Sequence, residues 1–231
     1  HRNCEPDQPV ARLTKAAHSR LLSEFERYLV CGGFPELLEP GMSPRDRESI
    51  LRGYVDTTLF RDIVERHAVN HPVALRWLVR QLLSNAGGGF SVNKFARDLS
   101  SQGIPVAKDT LYALVGYLQD AFLLRMVSME SSSERQRMVN PSKGYPVDPG
   151  LIPLFDRTGR ANRGHLLETV VMLELERRGA EITYVKTMAG HEIDFLARFP
   201  GGEQWLIQVC DECQGASVRE RELRAFDQAK E

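Results

Sequence analysis

Between Ala189 and Cys210 the chain reads AGHEIDFLARFPGGEQWLIQVC, two alternating runs of branched and aromatic residues around a Pro-Gly-Gly turn. That pattern predicts a β-hairpin. Side chains alternate across a strand, so Glu192 and Asp194 emerge on one face of the first run, with Gln208 on the second. Carboxylate oxygens are the donors a hard cation such as Mg²⁺ takes, and a carboxamide oxygen can join them. The residue types leave two alternatives, a metal-dependent nuclease centre or the scaffold of one that has lost its chemistry.

Just past Gln208, Cys210 and Cys213 make a C-x-x-C, written CDEC. A structural zinc needs two further ligands, and neither a second C-x-x-C nor an H-x₃₋₅-H occurs. A redox pair needs thiols of lowered pKa, whereas Asp211 and Glu212 between them would raise it. Chance placement is the favoured reading of the pair. The other cysteines, Cys4 and Cys31, are too scattered to build a disulfide framework in a chain of this size.

The elements that must position the hairpin are legible around it. NRGHLLETVVMLELERRG reads as a helix with Leu166, Leu167, Val170, Val171, Leu173 and Leu175 apolar. A strand EITYVKT follows, then the hairpin, then a charged closing helix SVRERELRAFDQAKE, together an α/β core. Upstream, PVALRWLVRQLLSNAGGGF, SVNKFARDLSSQG and VAKDTLYALVGYLQD predict three short helices, with FLLRMVSME and KGYPVDPG as the strands of a wing. The polar stretch SSSERQRMVNPS between those strands reads as mobile. DNA binding by the third helix would fall to Lys108, but Asp109 and Asp120 beside it make a poor phosphate footprint, so packing is the favoured role.

Towards the N-terminus, HSRLLSEFERYLVCGG places Leu21, Leu22, Phe25, Tyr28 and Leu29 on one helical face and stops at Gly32-Gly33. A second helix starts at Ser43-Pro44 and carries Ile50, Leu51, Tyr54, Val55, Leu59, Ile63 and Val64 as an apolar stripe. The opening HRNCEPDQPVARLTKAA is polar and aperiodic, and reads as an arm or the remnant of something cut away.

Composition limits the function classes. The 231 residues are 42% hydrophobic and 26% charged, which fits a globular chain with one large or two modest cores. With 30 Lys and Arg against 31 Asp and Glu, the formal charge of −1 provides no bulk cationic field, so any nucleic-acid contact must be local. No apolar run approaches the roughly 18 to 20 residues of a membrane span and no signal segment opens the chain, so a cytoplasmic protein without a membrane partner is expected. A phosphate-binding G-x-x-x-x-G-K-[ST] is absent too, since GGFPE and NAGGGF lack the Lys-Ser/Thr pair and read as helix terminators.

Taken in order, YLVCGGFPE, GYVDTTLFRDIVERH, NAGGGFSVNKFARDL, KGYPVDPGL, RGHLLETVVMLELERRG and GHEIDFLA resemble the C-terminal part of the prokaryotic predicted ATPases of the AAA superfamily. The resemblance runs from about Phe25 onward. It implies an α+β chain: a helical N-terminal segment over 1–70, a winged-helix-like domain over 71–150, and an α/β restriction-endonuclease-like domain, of the PD-(D/E)XK nuclease-like fold, over 151–231. It also implies that ATP is bound by an upstream domain of the full-length protein, this chain being a fragment or a shortened member with no cofactor of its own.

In the nuclease core that the last third resembles, a helix acid, a strand Asp and a residue of the next strand bind Mg²⁺, and a Lys two positions later positions the attacking water. Glu168 matches the helix acid, Asp194 the strand Asp and Gln208 the next ligand, with Glu192 a further metal-ligand candidate. Cys210 stands where the Lys would be; a neutral thiol supplies no fixed charge and prefers softer metals. Lys186 is the nearby candidate for a migrated Lys. The expectation is therefore a degenerate core in a non-catalytic module that binds a partner protein or nucleic acid. A Mg²⁺-dependent nuclease with a rearranged site and a winged-helix DNA-binding regulator are the alternatives.

Overall fold

The computed structural model describes residues 14–156, 163–187 and 190–211. Residues 1–13 of the opening arm, Ala189, Cys213 and the expected closing helix lie outside those residues, whereas 14–17, read as part of the aperiodic arm, cap and begin the first helix.

Helix α1 (Lys15–Cys31) starts where the Thr14 side chain accepts from the Ala17 N–H and ends at Gly32. Leu21 and Leu22, expected on its packed face, are exposed, and Leu29 is its buried residue. The helix is held from its C-terminal part, where Glu26 ion-pairs with Arg163 and the last turn meets the 3₁₀ turn Pro149–Leu151. There Asp148 accepts from the backbone N–H of Gly33 at 2.7 Å and of Gly150 at 2.8 Å. Gly32, at φ 79° and ψ −176°, occupies a region open only to glycine, and a Cβ on it would lie 1.9 Å from Asp148 Oδ1.

Ser43 caps helix α2 (Pro44–Thr57), as the sequence predicts, and Asp46 completes a reciprocal capping box with it. The chain then continues as a π-helical stretch over Thr58–Glu65 rather than as α-helix, while Leu51, Val55, Leu59 and Ile63 still form one buried stripe. Helices α3 (Pro72–Ser84), α4 (Val92–Ser101) and α5 (Lys108–Asp120) bury Leu75, Leu78, Phe95, Leu99, Leu111 and Leu114 in the same core as that stripe. Apolar side chains recurring at helical spacing leave each helix one face to bury, and these faces meet.

Strands β1 (Gly89–Phe90), β2 (Leu124–Val127) and β3 (Ser142–Pro146) form an antiparallel sheet in the order β1-β3-β2. The two strands expected in FLLRMVSME and KGYPVDPG form as β2 and β3 and pair with each other. The end of the glycine run, read as a helix terminator, also supplies β1. The stretch expected to be mobile instead contains helix α6 (Glu134–Val139), because the Ser133 side chain caps it by accepting from the Gln136 N–H.

Helix α7 (Arg163–Arg177) leads into a second antiparallel sheet, β4 (Glu181–Lys186), β5 (Glu192–Arg198) and β6 (Gln204–Ile207) in that order. The quoted hairpin is therefore β5–β6, turning at Gly202 with φ 83°. The whole is α+β, with two small sheets. They meet at their edges: Met129 bridges Tyr184 in parallel, Tyr184 N–H donates to Ser128 O, and Glu130 N–H donates to Tyr184 O. Val127 and Tyr145 of the first sheet share a core with Met172 and Leu175 of α7 and Phe195 of β5.

Candidate functional site

The buried face of α7 carries Leu166, Glu168, Thr169, Met172 and Leu175. Its phase differs from the leucine and valine stripe read from sequence, and the difference turns Glu168 inward. Beneath it β5 presents Asp194, and alternation on β3 sends Lys143 and Tyr145 to one face.

These residues meet at Lys143, which is 3% exposed. Its Nζ lies 3.0 Å from Glu168 Oε1, 3.2 Å from Asp194 Oδ1 and 2.8 Å from Glu192 Oε1. The Tyr145 hydroxyl donates to the same Glu168 Oε1 at 2.5 Å. Asp194 Oδ2 accepts from the Val209 N–H at 2.9 Å. Gly87, at φ 73°, closes one side of Glu168, since a Cβ there would stand 2.9 Å from Glu168 Oε2.

Burial would push the Lys143 ammonium down, but the charges of Glu168, Asp194 and Glu192 outweigh it and hold its pKa above the ordinary lysine value. Burial raises Glu168, the Asp194 charge raises it further, and Lys143 and Tyr145 oppose the shift. Burial likewise raises Asp194 against the Val209 N–H and Lys143. His165, three residues before Glu168 on α7, is lowered by burial and by the Lys143 charge.

The sequence-derived set is thus only partly assembled. Glu168, Asp194 and Glu192 converge. Gln208 reaches Asp194, but its Oε1 accepts from the Asp194 backbone N–H at 3.2 Å instead of joining the carboxylates. Lys186 is exposed at the end of its strand and is not the migrated cation. Lys108 is exposed at the start of α5, whose Leu111, Leu114, Val115 and Leu118 are buried. Cys210 is half-buried, and the cation it was expected to leave missing comes from Lys143. Sequence reading passed over Lys143 as part of a wing. The available signal was a Lys in the same alternating register as Tyr145, in a strand buried on both faces.

Carboxylate oxygens suit Mg²⁺. In this arrangement, however, the oxygens that face one another are engaged by an ammonium, and among the described residues no trio of His, Cys, Asp or Glu is placed to hold a metal ion. As placed, one oxygen of each of the three carboxylates lies on the Lys143 ammonium. Nor, among the described residues, is any helix long and apolar enough to cross a membrane.

A family model described as a domain of unknown function, DUF8612, matches residues 22–160. An uncharacterised protein of Methanocaldococcus jannaschii is 30% identical over 99% of this chain and 50% of its own length. An uncharacterised protein of Haemophilus influenzae is 30% identical over 78% of this chain and 43% of its own length. The chain therefore spans about half the length, or less, of these curated relatives. No solved structure matches.

Proposed function

The chain belongs to the DUF8612 family, and we propose that it is the C-terminal, non-catalytic module of a predicted AAA-superfamily ATP-binding protein. Its nuclease-like core is closed by an internal cation. Lys143 carries this reading: one buried ammonium touches three carboxylates, where a hydrolytic centre would need those oxygens free for metal and water.

The cluster is self-sufficient. Three carboxylates and one ammonium leave a formal −2, but Glu192 has a side chain 45% exposed and keeps its charge hydrated. Tyr145 and the Val209 N–H donate to the two buried acids. A charged network in a low-dielectric site persists only when its members are satisfied in this way. Because Lys143 lies on the first sheet, Asp194 and Glu192 on the second, and Glu168 on the helix over both, the cluster fixes the winged-helix-like part against the nuclease-like part.

A rigid platform of this kind suits docking of a protein or nucleic-acid partner for an ATP-binding domain carried by the other half of the full-length protein, in the cytoplasm. The greater length of the curated relatives supports such a second half. The test incubates the purified chain with Mg²⁺ or Mn²⁺ and DNA or RNA, and measures its unfolding midpoint with and without the metal. Neither cleavage nor a metal-dependent midpoint is expected. Cleavage that Asp194→Ala abolishes would overturn this reading and make Lys143 the migrated lysine of a working nuclease.

A further inference from the structure

Between α2, the π-helical stretch and α3 lies a surface with a different chemistry from the Lys143 cluster. The π-helical stretch Thr58–Glu65 and α3 enclose a groove of about 520 Å³, lined in part by Arg52, Asp56, Phe60, Arg76, Trp77 and Arg80. Phe60 is 47% and Trp77 46% exposed, so both rings reach solvent, with Arg76 lying over one face of Phe60. Arg52 is engaged, with Glu48 at 2.8 Å and with Leu154 O at 2.9 Å. Among the described residues, Arg76 and Arg80 pair with no carboxylate. The Arg76 guanidinium lies 5.1 Å over the Phe60 ring, which holds its flat face in place.

We propose that this groove binds single-stranded nucleic acid, with Arg76 and Arg80 on consecutive phosphates and Trp77 and Phe60 stacked on bases. The two guanidinia sit one helical turn apart, within about 5–6 Å at Cβ, on one side of α3. Planar forks with no carboxylate partner match phosphate oxygens bidentately. The exposed Trp77 indole, and the side of the Phe60 ring away from Arg76, offer what unpaired bases stack on, and base pairs within a duplex have their faces already covered. An acidic peptide would be satisfied by the arginines alone and would leave both aromatic faces in water. A purely apolar partner would bury two guanidinia without a counter-charge. Since the chain as a whole carries −1, the attraction is local to the groove. This proposal does not rest on the reading of the Lys143 cluster.

The test uses the Trp205→Phe chain, in which Trp77 alone reports by fluorescence, and labelled twelve-nucleotide single strands of DNA and RNA. The same sequence as duplex and a polyglutamate peptide of equal charge serve as competitors. Single strands should quench Trp77 and bind at least tenfold more tightly than duplex or peptide. Trp77→Ala, followed by anisotropy, should weaken binding about tenfold, as loss of one stacked base does. Arg76→Gln with Arg80→Gln should weaken it similarly and flatten the plot of log affinity against log salt by about 1.4, the slope of two single-strand phosphate contacts. Peptide competing as well as single strand would assign the groove to an acidic protein partner. Equal duplex binding, no binding, or affinity indifferent to these substitutions in a chain of unchanged circular dichroism would overturn the proposal. None of these outcomes bears on metal response or cleavage, which test the Lys143 reading separately.

Discussion

Lys143 and Tyr145, two positions apart on β3, donate to the same oxygen of Glu168, at 3.0 and 2.5 Å. One acceptor shared by a charged and a neutral donor makes Glu168 the point through which the first sheet grips α7. It also separates two contributions that substitutions can isolate.

Lys143→Met should cost about 3–5 kcal/mol, because removing one partner of a buried ion pair strands the others without compensation. The loss is read from urea unfolding at pH 7. In Lys143→Ala the vacated space leaves Glu168, Asp194 and Glu192 facing one another, so millimolar Mg²⁺ should restore part of the lost stability, while the unmodified chain gains none. Equal response of both chains would refute closure of the cluster by Lys143.

Tyr145→Phe removes a neutral donor and leaves the ammonium in place. A hydrogen bond to a charged acceptor is worth about 1.5–3 kcal/mol, so the loss should be smaller than for Lys143→Met. The double variant should fall short of the sum of the two losses, since both bonds end on one oxygen.

Gly32→Ala meets both a backbone region closed to L-residues and the Asp148 carboxylate 1.9 Å from the new Cβ. It should destabilise by at least about 1–3 kcal/mol. Gly41→Ala is the control: its φ of 85° is also positive, but nothing stands within 4 Å of the added methyl, so it bears strain alone and should cost less.

Glu130 is held below its ordinary pKa of 4.5, chiefly by the hydrogen bond from Arg198, against burial and with help from the Thr183 hydroxyl. Its stabilising contribution is complete above pH 4.5 and disappears as pH falls through the lowered folded value. The stability difference between the chain and Glu130→Gln should therefore be about 1 kcal/mol at pH 7 and vanish at the acid end, as measured by unfolding across pH 3–7.

Local periodicity made much of this architecture readable, and long-range partnership hid the rest. Ser43, Ser91 and Gly32 mark helix ends in the structure as they do in the sequence, because capping is settled within a few residues. Glu192 and Asp194 share a face because alternation in a strand is equally local. Lys143 escaped because its partners lie 25 and 51 positions away, and a lone lysine in a strand more often faces water. The inward position of Glu168 was legible only through its match to the helix acid of a nuclease core, because the leucines and valines flanking it on α7 offer a more hydrophobic stripe and only tertiary partners decide the phase. Exposed Leu21 and Leu22 are the converse, an apolar face that local pattern assigns to a core and the described fold leaves open.

The edge-to-edge join of the two sheets has a dynamic consequence. The chain leaving β2 spends the Ser128 carbonyl and the Glu130 amide on Tyr184, so the first sheet cannot swing clear without tearing the second sheet's edge. Opening either sheet also exposes the core that Tyr145 and Phe195 share. The amide hydrogens of Glu130 and Tyr184 should consequently exchange with solvent in a single cooperative event, with one free energy of opening for both.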